Sequence, residues 1–178
     1  GPNWLAAIAK LTNALYGDDF YTEFEVYMGS STSGGDGIAF FIADPSTSTS
    51  YVSGTGDTFG GLGLDGYAVT FDTYQDTSDP TASSGSFIGL YELDSASGWT
   101  LLDSDVSLPT LEDDNTHTIT ITVEDGEFEI TVDGTTYLTS TVSSYSMPEA
   151  LVGWGGGTSS ATAYQSVDDP FVGCAFVP

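Results

Sequence analysis

"NTHTITITVEDGEFEITVDGTTYLTS", residues 115 to 140, decides what kind of fold this chain adopts. Thr116, Thr118, Thr120 and Thr122 share one face of an extended segment, while His117, Ile119, Ile121 and Val123 share the other. That is the period of a half-buried strand, since successive side chains point to opposite faces of a sheet. Asp-Gly interrupts the pattern twice, at 125–126 and 133–134. The pair suits a tight hairpin because both residues tolerate positive φ. The stretch therefore predicts strands over 116–124, 127–133 and 135–139, joined as antiparallel hairpins.

The same periods extend outward. "FYTEFEVYM" (20–28) alternates Phe20, Thr22, Phe24, Val26 and Met28 against Tyr21, Glu23, Glu25 and Tyr27, so one face is core and the other wet. "GIAFFIA" (37–43) is apolar throughout and reads as a strand buried on both faces in mid-sheet. Further strands are expected at 67–72 and 86–93. A buried strand within 150–165 runs into a Gly and Ser loop, and a last strand is placed near 171–177. "NWLAAIAKLTNALY" (3–16), taken alone, is compatible with a helix. Many short strands with turn chemistry between them predict an all-β domain over residues 1–178, a sandwich of two packed sheets. Gly1-Pro2 has the look of a protease-cleavage scar.

The composition agrees: 178 residues with 39% hydrophobic and 13% aromatic content can bury a sizeable core. One Lys, no Arg and 26 Asp plus Glu give a formal net charge of -25. Such a surface repels phosphate backbones and anionic membranes, which excludes nucleic acid as a partner. It also repels itself, at a cost that falls where salt screens the charges or divalent cations bind them. A saline or calcium-rich medium is expected, as for an extracellular or halophilic protein. The single Cys174 forms no internal disulfide and reads as a small apolar residue. No apolar run reaches the length of about 18 residues that suggests a membrane-spanning helix.

The most chemical stretch is "YAVTFDTYQDTSDP" (67–80). Asp72, Asp76, Asp79 and the Tyr74 carbonyl offer four hard oxygen donors within eight residues. Calcium takes six to eight such donors at about 2.3–2.6 Å, and waters would complete the shell. A solvated acidic loop is the alternative. Against it, Asp72 directly follows an apolar strand, where an uncompensated carboxylate is costly. The long connection 44–66, rich in Pro, Ser, Thr and Gly, has the length of a functional loop.

Other constellations read as ordinary structure. Glu23/Glu25 and Glu127/Glu129 could pair as acid and base in glycoside hydrolysis. Both pairs alternate with core-facing residues, however, so they lie on wet strand faces where nothing separates their pKa values. The Gly-rich stretches 54–63 and 153–157 lack the strand-to-helix context and the basic residue of a phosphate loop, and fit close backbone approach or sharp turns. No serine sits in a nucleophile elbow. His117, on an apolar face, reads as a packed, hydrogen-bonded residue more readily than as a ligand.

Several segments, in order, resemble the L-type (legume-lectin-like) family, particularly its bacterial and archaeal members. They are "AIAKLTNALYGDDFYTEFEVYM", "GGDGIAFFIADPS", "FGGLGLDGYAVTFDTYQDTSDP", "SFIGLYE", "HTITITVEDGEFEITVDG" and "LVGWGGGTSSATAY", covering most of residues 6–165. The resemblance implies a concanavalin-A-like jelly roll that binds carbohydrate with the help of Ca2+. It implies that Asp36 accepts hydrogen bonds from sugar hydroxyls and that the Gly60 and Gly61 backbone N–H groups reach another hydroxyl. The calcium ligands fall on Asp72, Tyr74 through its carbonyl, Asp76 and Asp79. Tyr74 also offers its ring to the sugar, Asp76 stands where the family commonly has Asn, and Gly156, Thr158 and Ser159 close the site.

Two departures bear on metal content. Plant members place an acidic residue two positions before the first calcium Asp and a histidine after the loop, holding a second metal. Here those places hold Thr70 and Phe87, so a calcium-only site is expected. Asp76 in place of an amide loses a donor for the sugar while adding charge for the cation. The leading expectation is a non-catalytic, calcium-dependent carbohydrate-binding module of a larger secreted or cell-surface protein, with a glycan as partner and an adhesive role within reach. The second is a structural, adhesin or filament domain that calcium stiffens without sugar binding; the third is a glycan hydrolase or lyase.

Overall fold

The computed structural model describes residues 5–10, 15–29, 35–47, 56–82, 84–158 and 164–173, the first of these by backbone alone. Eleven strands are formed: β1 (Leu5–Lys10), β2 (Asp19–Tyr27), β3 (Gly37–Ala43), β4 (Gly66–Asp72), β5 (Phe87–Asp94), β6 (Gly98–Asp105), β7 (Thr116–Glu124), β8 (Glu127–Val132), β9 (Thr135–Thr141), β10 (Leu151–Thr158) and β11 (Ser166–Gly173). A 3-10 turn at Gly56–Thr58 is the one helical element among the described residues. One sheet has the order β1-β10-β3-β4-β5-β6 and the other β11-β2-β7-β8-β9. Every pairing is antiparallel. The all-β sandwich expected from the sequence is thus the fold observed.

The hairpins form as their chemistry dictates. Asp125 and Gly126 have φ of 50° and 79°, and Asp133 and Gly134 have 50° and 75°. Positive φ at both central residues is the turn whose twist matches that of the strands it joins. Between the sheets lies the main core, with Phe20, Phe24 and Val26 from β2, Ile119, Ile121 and Val123 from β7, and Phe128 and Ile130 from β8. These face Ile38, Phe40 and Ile42 of β3, Val69 and Phe71 of β4 and Trp154 of β10. Phe24 is fully buried, stacking on Phe40 and meeting Phe71 and Trp154 edge-on. Burying one such ring contributes roughly 1.5–3 kcal/mol.

A second, smaller core lies on the opposite face of the six-stranded sheet. Ala39, Phe41 and Ala43 of β3, Ala68 of β4 and Leu93 of β5 are covered there by Phe59 and Leu64 of the connection before β4. This is why β3 is apolar at every position. Small residues on β10 admit the covering loop: a Cβ at Gly155 would stand 2.3 Å from the Phe59 carbonyl oxygen, and one at Gly157 would stand 2.6 Å from that of Gly56.

Three strand readings are corrected. Residues 5–10 form an edge strand paired with β10, where the sequence alone allowed a helix. Strand β6 went unread because its apolar residues fall on both sides and stay partly exposed: Leu101 and Leu102 are surface residues on a sheet edge, and a bulge shifts its register against Leu90 and Tyr91. The last strand starts at Ser166, five residues earlier than expected. Its bulge at Asp169-Pro170, with Asp169 at φ 47°, hides the alternation, and proline is tolerated there because β11 is an edge. Cys174 lies outside the described residues.

Candidate functional site

The site is built where β3 begins and β4 ends. Gly37 pairs with Asp72 across β3 and β4, and with Gly157 across β3 and β10. Asp36, one residue before β3, is therefore delivered beside Asp72 and the end of β10. The turn into the strand requires glycine: Gly37 has φ 126°, and a Cβ there would meet the Phe71 carbonyl oxygen at 2.1 Å. The Thr73 N–H donates to the Asp36 carbonyl (3.1 Å) and the Thr73 hydroxyl to that of Gly35 (2.8 Å). These bonds fasten the acidic loop to the segment that carries Asp36.

That loop braces itself. The Tyr74 N–H donates to Asp72 Oδ1 (2.9 Å) and the Asp76 N–H to Asp79 Oδ2 (2.6 Å). Gln75 spans its base, accepting from the Ala82 N–H (2.9 Å) and donating to the Pro80 carbonyl (3.0 Å). From the opposite side, the 3-10 turn Gly56–Thr58 brings in Asp57. Carboxylate oxygens of Asp36, Asp57 and Asp76 lie within 4.8 Å of one another.

The electrostatics of this end of the sheet are those of crowded acids. Burial, with Asp72 only 4% exposed, pushes its carboxyl up to about 9; the charges of Asp79, Asp36 and Asp57 add to this, and the Tyr74 N–H opposes it. Asp76 is pushed up to about 6 by burial, by its hydrogen bond with Asp57 and by the charges of Asp57, Asp79 and Asp36. Asp79 is raised by burial and by Asp57, against the Asp76 N–H. The Tyr91 hydroxyl is raised by burial and by the charges of Asp72, Asp79 and Asp57. Carboxylates this close cannot all ionise cheaply without a cation.

Of the residues expected at the site, Asp36 and Asp76 fall in the three-carboxylate cluster with Asp57. Asp72 and Asp79 lie in the same loop as Asp76 and act on them electrostatically, with Tyr74 half-buried between Asp72 and Asp76 in sequence. Their donors are hard oxygens, the chemistry that suits calcium. Gly156 and Thr158 flank Asp36 on β10, Thr158 being only 6% exposed; Ser159 lies outside the described residues. The glycine loop departs from expectation at one donor. The Gly61 N–H is held by the Thr58 carbonyl at 2.6 Å, and Gly61 packs so tightly on Phe41 that a Cβ would come within 2.5 Å of that ring. Gly60, the other expected donor, is buried with φ 84°.

Three contributors were not read from the sequence. Asp57 lies in the glycine-rich stretch 54–63 that fits close backbone approach, and its place directly after Gly56 is the signal available. Glu112 accepts the Gly35 N–H, with burial pushing its carboxyl up to about 7. The Gln165 amide, oriented to satisfy both its ends, donates to the Gly37 carbonyl (3.1 Å) and accepts from the Gly37 N–H (3.2 Å). No regular spacing announces either brace. Thr70 and Phe87 are fully buried, the Thr70 hydroxyl donating to the Gly89 carbonyl (3.4 Å).

Away from the site, Glu23, Glu127 and Glu129 are exposed while Phe24, Phe128 and Ile130 beside them are buried, as the alternation predicted. His117 is buried on the second sheet with both ring nitrogens engaged, Nδ1 to Asp133 (2.8 Å) and Nε2 to Asp113 (3.1 Å).

The two-sheet architecture, with its loop-covered face, is that of the L-type lectins. Similar solved structures include the exoplasmic/lumenal domain of VIP36 in its Ca2+- and mannose-bound form, with TM-score 0.73, 14% identity, 97% of this chain covered and 75% of that one. Basic winged bean lectin with Tn-antigen matches with TM-score 0.74, 18% identity and coverage of 94% and 78%. Lectin II from Ulex europaeus matches with TM-score 0.74, 19% identity and coverage of 99% and 84%. No protein-family model matches the chain, and no curated protein matches it in sequence.

Proposed function

We propose that this domain is a non-catalytic, calcium-dependent carbohydrate-binding module of a secreted or cell-surface protein. The observation that carries the reading is the meeting of Asp36 with the acidic loop: its carboxylate lies within 4.8 Å of those of Asp57 and Asp76, at the sheet end that also holds Asp72 and Asp79. Structures of similar fold determined with calcium and sugars support it.

Asp72, the Tyr74 carbonyl, Asp76 and Asp79 would hold the ion. Bound calcium supplies positive charge that offsets their repulsion and stiffens the loop. The chain's own groups do the rest. Asp36, fixed by Gly37 and Thr73, accepts hydrogen bonds from two sugar hydroxyls. Gly60 donates its N–H to another, the Tyr74 ring packs on the apolar face of the pyranose, and Gly156, Thr158 and Ser159 border the opening.

Glycan-array binding with and without calcium tests this. Asp36→Ala is expected to abolish sugar binding while calcium still raises the melting temperature. Calcium-dependent melting with no glycan bound by the unaltered protein would favour a structural role instead, and polysaccharide cleavage that survives Asp36→Ala would sink the non-catalytic reading.

A further inference from the structure

The candidate site holds more negative charge than one calcium ion cancels. Asp36, Asp57, Asp72, Asp76 and Asp79 act on one another at one end of the sheet. Carboxylate oxygens of Asp36, Asp57 and Asp76 alone lie within 4.8 Å of one another, so one divalent ion is shared among several acids. Asp57 stands outside the four expected calcium ligands, and its side is the exposed one.

Basic side chains are scarce in the chain. The full sequence holds one Lys and no Arg. Lys10 pairs with Gly153, whereas the site end of β10 is Gly157, opposite Gly37. Four residues along a strand amount to about 13 Å, and β10 and β3 separate β1 from β4 by about 14 Å more across the sheet. Both displacements exceed the screening length of about 8 Å at physiological ionic strength. The sole histidine is on the other sheet, already engaged by Asp113 and Asp133. A carboxylated or sulfated sugar would thus have to rely on the bound cation, with no basic side chain to face its anion.

We propose that this site selects neutral sugars and sugars bearing a free amine against uronic, sialic and sulfated ones, with Asp57 as the discriminating residue. The inference rests on the sugar-binding reading above and names the chemical class of its ligand. An ammonium on the sugar would find the exposed Asp57 carboxylate beside the Asp36 subsite, whereas a carboxylate would meet groups of its own sign.

The test is calorimetric titration of the calcium-saturated domain with a neutral hexose, its 2-amino-2-deoxy counterpart and its hexuronic acid. Gluco, galacto and manno series are compared at low and high NaCl. In whichever series binds, the amine is expected to bind about fivefold tighter than the neutral sugar and the uronate at least about fivefold weaker, the size of one partly exposed charge contact. High salt should compress both ratios. Asp57→Asn, or Asp57→Ser should the first variant misfold, is expected to narrow the gap between amine and neutral sugar. Uronate binding as tight as neutral binding would overturn the proposal, because calcium would then be taking the sugar carboxylate directly. An amine ratio near one, or one that Asp57→Asn leaves intact, would overturn the role of Asp57. If calcium raises the melting temperature and no sugar in any series binds, both this inference and the sugar-binding reading fall.

Discussion

Gly37 lies opposite Asp72 in the β3–β4 register, and the Cβ of any other residue at position 37 would stand 2.1 Å from the Phe71 carbonyl oxygen. This pairing fixes where Asp36 sits relative to the acidic loop. Gly37→Ala combines a backbone clash with a φ of 126° that L side chains rarely adopt. It should cost about 3 kcal/mol or more, or prevent folding. Gly85→Ala is the control, since its φ is 80° but nothing lies within 4 Å of the added carbon. It should cost about 1 kcal/mol. Urea unfolding of the two variants checks the ranking, and equal losses would mean the β3–β4 approach is not as tight as described.

Calcium should stabilise the domain by mass action. An ion binding the folded state alone adds about 2.7 kcal/mol at a concentration one hundred times its dissociation constant. For a chain of this size that corresponds to roughly 5–10 °C in melting temperature. Thermal melts with calcium and with a chelator measure it directly. Magnesium should substitute poorly, because it demands tighter octahedral geometry and sheds water reluctantly. A melting temperature indifferent to chelation would remove calcium from the account.

The calcium-free domain should lose stability as pH rises. Folded Asp72 is pushed up to about 9 and Asp76 up to about 6, both above the unfolded value of about 3.9. A group whose folded pKa is raised stabilises fully below its unfolded pKa, and that contribution disappears as pH climbs through the folded pKa. The window is therefore about pH 4 to about pH 9, with Asp76 contributing in its lower part. Calcium should flatten the profile by making the ionised forms the favoured ones. A chelated domain that grows more stable between these limits would contradict the crowding of acids at this site.

His117 gives a second pH effect with a different origin. Burial lowers its pKa, but hydrogen bonds and attraction from Asp133 and Asp113 outweigh that and raise it above 6.5. Its protonated form ties the segment before β7 to the β8–β9 turn. Stability from the clamp is present below the unfolded pKa of about 6.5 and lost as pH rises through the folded one. Because both carboxylates are largely exposed, the contribution should be about 1 kcal/mol. His117→Gln should thus destabilise at pH 6 and much less at pH 9, with or without calcium. NMR titration of the ring protons checks the raised pKa.

Much of this fold could be read from short-range chemistry. Alternation marks β2, β7 and β8 because each has one wet face, and Asp-Gly marks the two hairpins because positive φ selects it. β6 and β11 were missed or misplaced because edge strands with bulges need neither alternation nor burial. The acidic loop 72–79 was legible because its carboxylates are near neighbours in sequence. Asp57 was not: fifteen residues separate it from Asp72, and its arrival depends on Gly155 and Gly157 letting the covering loop lie down on β10. The commitment of the Gly61 N–H to Thr58 is equally invisible until the turn has closed.

Asp76 offers the sharpest separation of metal from sugar. It is an expected calcium ligand whose carboxylate also lies within 4.8 Å of those of Asp36 and Asp57, and it shares a hydrogen bond with Asp57. Asp76→Asn removes one of the mutually repelling charges, so the chelated variant should melt higher than the unaltered domain at pH 7 and lose part of the pH dependence described above. The cation then loses a charged ligand, and because ligand charge tunes calcium affinity, binding should weaken about tenfold. The new amide adds two N–H donors toward the sugar position, where the unaltered side chain offers acceptors alone. At saturating calcium, neutral-sugar affinity should therefore rise. Calcium titration followed by sugar titration of one preparation reads both effects. Opposite signs are the expected result, and parallel losses would mean that Asp76 holds the loop together and faces neither ligand.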